Sequence, residues 1–170
     1  MRIWGFRAAA GLNPASLRQH PQESMNSLEE HGGRLLVIFD GHCGLCNRSV
    51  RWLLRRDRAD RLRFAASESP KVAGLLERHG IPAAAPGPST LLAVCDAGGP
   101  AERVLLRSQA VLALLAELPR PWPAVAAALA WLPRPVRDLG YRLIARCRYR
   151  IWGRLERCPL PAPEQRERFL

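Results

Sequence analysis

Lysine is nearly missing from this chain: Lys71 is the only one, and the formal net charge of +11 is carried by arginine. Such one-sided usage can follow nucleotide composition as readily as function, and net charge governs association, not chemistry. Anionic lipid and acidic proteins stay open as attractions, while nucleic acid is the disfavoured partner. No run of about 18 apolar residues occurs, which argues against a membrane-spanning helix. The first 33 residues lack an unbroken apolar core and make a poor secretory signal, although their acid-poor start leaves a transit peptide open. Residues 1–33 are expected to be a disordered extension, or an over-long start with Met25 as the alternative initiator. The five cysteines are an odd number in a chain whose 48% hydrophobic content supports a core without staples. A disulfide framework is therefore not expected, and a reducing, cytoplasmic setting fits.

What is present begins at Arg34, where "RLLVIF" reads as a strand buried on both faces. From Leu45 to Asp57 the apolar spacing turns helical, with Cys46, Val50, Leu53 and Leu54 on one face. "LRFAA" supplies a second strand, and "SESPKVAGLLERHG" a second helix with Ser69 as cap, Pro70 in the first turn and Gly80 at its end. "STLLAVC" and "ERVLLR" around "DAGGPA" predict an antiparallel hairpin, after which Ser108 is expected to cap a third helix. The order β-α-β-α-β-β-α implies an α/β domain over residues 34–118 with a mixed sheet, because consecutive parallel strands need a crossover. Prolines then break residues 119–170 into a helical extension packed on that core. Within it the alanine-rich "AVAAALAWL" reads as a buried helix.

The chemistry sits in "FDGHCGLC". Two cysteines two residues apart at a helix start can close a small disulfide ring, and backbone N–H groups there favour a thiolate on Cys43. Thiols in such settings fall to roughly 3.5–7.5 from about 8.5. Cys43 is the expected attacker, exposed, and Cys46, at the head of the inward stripe, the less exposed resolver. Asp40 either takes the proton of the resolving thiol or caps the helix. His42, if protonated, would favour the Cys43 thiolate, although a plain loop role is the simpler expectation.

These residues resemble the Asp-x-x-Cys-x-x-Cys signature of the DCC family of thiol-disulfide oxidoreductases, which are similar to thioredoxin-like proteins. The resemblance continues in "RSQAVLALL", in "YRLIARCRYRIWGRLERCPLP" and in the closing "RFL", and so covers about residues 34–170. It implies a thioredoxin-like mixed sheet with additional C-terminal helices and a protein-disulfide reductase type of activity. Asp40, Cys43 and Cys46 would be the catalytic residues, with no cofactor and no metal. It also implies a cis-proline before the third strand, for which Pro88 is the candidate by order. Cys158 matches a cysteine of the family and Cys147 departs from its pattern; both are expected to be structural.

Other readings compete. A Cys-x-x-Cys also supplies half of a zinc site, but no second such motif or paired histidine follows. Alternatively the pair is structural in a binding module, in which the arginine-rich C-terminal helices make peripheral membrane contact or dock on a partner. The stripe Val136, Leu139, Leu143, Ile144 and Cys147 would then be free, whereas in the simpler expectation it packs on the sheet. The expected substrate is a protein or small-molecule thiol or disulfide.

Overall fold

The computed structural model describes residues 34–81, 91–156 and 163–170. The elements are β1 (Leu35–Phe39), α1 (Gly44–Arg56), β2 (Leu62–Ala66), α2 (Pro70–Arg78), β3 (Leu92–Cys95), β4 (Arg103–Leu106) and α3 (Ser108–Glu117). They are followed by α4 (Trp122–Ala130), α5 (Arg134–Trp152) and a 3-10 turn at Pro163–Arg168. The sheet runs β2-β1-β3-β4, with β1 parallel to β2 and antiparallel to β3, and β3 antiparallel to β4. This is the mixed α/β architecture of a thioredoxin-like fold, in the expected β-α-β-α-β-β-α order.

β1 is central, and its unbroken apolar sequence has a direct cause: helices cover both faces of the sheet. Leu35, Val37 and Phe39 point to the layer containing Val50, Leu53 and Leu54 of α1 and Ala110 and Leu114 of α3. Leu36 and Ile38 point the other way, onto Val72, Leu75 and Leu76 of α2. The strand therefore ends, at Asp40, in the seam between sheet and helices.

α1 stops at Asp57, whose fully buried carboxylate accepts the N–H groups of Arg61 at 3.0 Å and Leu62 at 2.9 Å. One side chain thus ends a helix and starts the neighbouring strand. Near the other end of the chain, Phe169 packs in the core against Phe39 and Phe64, and the Leu170 N–H donates to the Phe64 carbonyl.

Three expectations fail for identifiable reasons. Arg107, at φ +52°, is the cap of α3; the Ser108 hydroxyl instead donates to Asp138 of α5. α4 is not a buried helix: Ala126 is its one buried residue among those described, because α4 touches the core mainly through its first turn, where Trp122 meets Trp52 edge-on at 4.7 Å. The apolar stripe of α5 faces solvent, not the sheet, with Leu143 and Ile144 each 55% exposed. The inward side carries Tyr141, Ala145, Arg148 and Trp152, at helical spacing, and the Tyr141 hydroxyl accepts the Leu91 N–H at 2.7 Å. The extension 1–33 and residues Pro88 and Cys158 lie outside the described residues.

Replacing Asp57 by Ala would strip the partners from the N–H groups of Arg61 and Leu62. A loss of about 2–3 kcal/mol is expected in urea unfolding, and an unchanged midpoint would deny Asp57 its joining role.

Candidate active site

The turn after β1 is built by backbone and side chains together. The Cys43 N–H donates to the Asp40 carbonyl at 3.2 Å, and the Asp40 Oδ1 accepts the His42 N–H at 2.9 Å. Buried Asn47 donates through Nδ2 to the carbonyls of Gly41 at 2.7 Å and Cys43 at 3.0 Å. The loop is thereby held from inside α1. Cys43, and not Asp40, is the cap of this helix: its Sγ accepts the Cys46 N–H at 3.3 Å. A sulfur in that position draws on the partial positive charge of the helix start.

Asp40 has a different partner. Its Oδ2 accepts from Arg148 Nη2 at 2.7 Å and from the Tyr149 hydroxyl, and both members of the ion pair are about 96% buried, with 4% side-chain exposure each. Arg148 Nη2 also meets the Tyr149 hydroxyl at 2.7 Å, while Nη1 lies 4.0 Å from Cys46 Sγ. One guanidinium therefore spans the carboxylate and the second thiol. Arg148 and Tyr149 were not among the residues singled out from sequence. Their signal is the inward spacing 141, 145, 148, 152 opposite an apolar stripe.

The two thiols are unbonded here and unequal, in the reverse of the expected order of exposure. Cys43 is fully buried and Cys46 partly open. The cover is the end of α5 and the residues after it. Gly44 N–H donates to Gly153 O at 3.3 Å, Leu155 N–H to His42 O at 2.8 Å, and Cys43 bridges Arg154 as in an antiparallel pair. His42 turns to this segment too, its Nδ1 standing 3.1 Å from Leu155 O. The approach is so close that a Cβ on Gly44 would sit 2.2 Å from Trp152 O. Burial, the hydrogen bond with Cys43 and the charge of Cys43 push the Cys46 thiol from 9.0 up to about 12, against the opposing pull of Arg148.

Beside Cys46 opens a cavity of about 470 Å³ with almost wholly apolar walls, including Leu45, Trp52, Val111, Leu115 and Trp152. Cys95 and Cys147 are remote from the dithiol in the fold, on β3 and on the outer side of α5. Among the described residues no three His, Cys, Asp or Glu side chains converge as a metal would require.

Removing one member of the Asp40–Arg148 pair strands a buried charge. Arg148→Met is expected to lower unfolding stability by about 3–5 kcal/mol, and adding Asp40→Asn should restore part of it; strict additivity in this double-mutant cycle would contradict the coupling. The raised Cys46 thiol stabilises the fold below pH 9.0, and that contribution is lost as pH rises toward about 12. Tm of the reduced protein should therefore fall in this window, less steeply in Cys46→Ala; equal slopes would refute the assignment.

Comparison with known proteins adds three findings. The profile of the DCC1-like thiol-disulfide oxidoreductase family matches residues 37–154. The uncharacterized protein YuxK of Bacillus subtilis is 31% identical over 135 residues, 79% of this chain and 93% of that protein. The DCC family protein At1g52590, chloroplastic, of Arabidopsis thaliana is 31% identical over 157 residues, 91% of this chain and 87% of that one. No solved structure matches. The family and the adjacent Cys43 and Cys46 together support a redox function.

Proposed function

The chain belongs to the DCC1-like thiol-disulfide oxidoreductase family, and from that premise we propose that it is a protein-disulfide reductase in which Cys43 attacks and Cys46 resolves. The observation that carries this reading is the asymmetry of the pair. Cys46 keeps its proton through the neutral range, while the Cys43 sulfur occupies the helix cap and accepts a backbone N–H. A sulfur that accepts a helix-start N–H is placed to attack, and a thiol that holds its proton is placed to follow it.

In the reaction, Cys43 thiolate attacks one sulfur of a substrate disulfide, forming a mixed disulfide and releasing the other sulfur as a thiolate that takes a proton. Cys46 then gives up its proton and attacks the Cys43 sulfur. The 43–46 disulfide forms, the second substrate thiolate departs, and the substrate has gained two electrons. A thiol reductant, protein or small molecule, returns the enzyme to its dithiol form. Arg148, beside Cys46, offsets the charge that develops there, and Asp40, whose charge reaches Cys46, holds Arg148 and is the carboxylate assigned to the departing proton.

Cys43 can meet a bulky disulfide only when the segment 153–155 lifts. Gly153, at φ +74°, holds the turn into this segment in a left-handed backbone conformation that other residues rarely adopt. The apolar cavity beside Cys46 then receives an apolar part of the substrate next to its disulfide. A cytoplasmic, reducing setting belongs to this reading.

Brief alkylation of the reduced protein at neutral pH, followed by peptide mapping, sets exposure against protonation. Label is expected first on buried Cys43, and Cys46→Ser should accumulate a mixed disulfide at Cys43 with a disulfide substrate. Label first on Cys46, or a redox titration with no 43–46 bond at any potential, would overturn the assignment.

A further inference from the structure

α5 turns its apolar stripe away from the protein. Leu139, Leu143, Ile144 and Ile151 are 54–64% exposed, and Trp131, between α4 and α5, is 90% exposed. On α5 the row from Leu139 to Ile151 extends over about 18 Å at 1.5 Å per residue. Large apolar side chains exposed in a row along one helix face form the pattern of a docking surface, unlike singly scattered ones.

The margins of the stripe specify the partner. From Arg120 to Glu156 the chain has seven arginines besides the buried Arg148 and two carboxylates, Asp138 and Glu156, and Asp138 is held by Ser108 and Arg134. Exposed Arg142, Arg146 and Arg150 follow one edge of the stripe, and half-buried Arg137 the other. A second copy of the same face would bring arginine against arginine. An anionic lipid surface takes the apolar row into its acyl boundary and the arginines onto its headgroups. No described helix is long and apolar enough to cross a membrane, so α5 would lie along the surface.

We propose that the α4–α5 face docks this protein peripherally on anionic lipid bilayers. Ile144 belongs both to the stripe and to the wall of the cavity beside Cys46. Docking therefore brings that cavity to the membrane interface, and under the redox reading above it directs the dithiol toward membrane-associated disulfides. The docking itself does not depend on the thiols.

The test is co-sedimentation of the full chain with phosphatidylcholine vesicles, with and without phosphatidylglycerol. Binding is expected only with phosphatidylglycerol, falling at least about tenfold between about 0.1 M and 1 M salt, as the screening length shrinks from about 10 Å to 3 Å. Leu139→Glu/Leu143→Glu and, separately, Arg142→Glu/Arg146→Glu should each lower partitioning by about tenfold or more, with helix content retained by circular dichroism. Cys43→Ser/Cys46→Ser should bind as the unaltered chain does, so that failure of the redox reading leaves this result standing. No binding to anionic vesicles, equal binding to neutral ones, or undiminished binding of the leucine variant would overturn the proposal. So would loss of binding in the double serine variant, or a lipid-free dimer that the leucine substitutions abolish.

Discussion

The buried ion pair between Asp40 and Arg148 ties this structure together. Its partners are 108 residues apart, one at the end of the central strand and the other on the last long helix. Two charges withdrawn from water are stable only with close geometry and further hydrogen bonds. His42 and Tyr149 provide them. This demand fixes how α5 is rotated: once Arg148 must point inward, the leucines and isoleucines on the opposite side of the helix must point out. The same rotation carries Trp152 and Gly153 over the start of α1. The covered sulfur and the uncovered apolar row are two results of one electrostatic pairing.

Much of the core was legible in sequence because burial leaves a period. Leu35 to Phe39 have no polar interruption since both faces of β1 are covered, and Val50, Leu53 and Leu54 repeat at helical spacing since one face of α1 is. Asp40, Cys43 and Cys46 were legible as a motif. What stayed hidden was set by distant chain. Nothing local to "FDGHCGLC" announces that residues 153–155 will bury its first cysteine, or that an arginine near position 150 will claim its aspartate. The stripe on α5 was misread for a related reason: periodicity reveals that a helix has two sides, but which side goes inward depends on what the other elements require. Asn47 shows the same limit on a smaller scale, a polar residue on a helix whose value is the loop it holds from within.

The two thiols also separate properties that are often assumed to travel together. Accessibility would make Cys46 the reactive sulfur, and protonation makes it the reserved one. In the proposed reaction the conflict is resolved at the helix start, where the capping Cys43 is the sulfur assigned to attack.

The segment that pairs with residues 42–44 through Gly153 and Leu155 has a consequence for selectivity. Under the proposed reaction, a partner that needs Cys43 competes with a segment already tethered at the site, so its apparent affinity is the intrinsic affinity scaled by the fraction of molecules in which that segment has lifted. Small ambient disulfides, with little backbone to offer, gain least from that exchange. A polypeptide that replaces the lost hydrogen bonds with its own regains most of them, and the chain thus contains its own reference ligand, against which every substrate is measured.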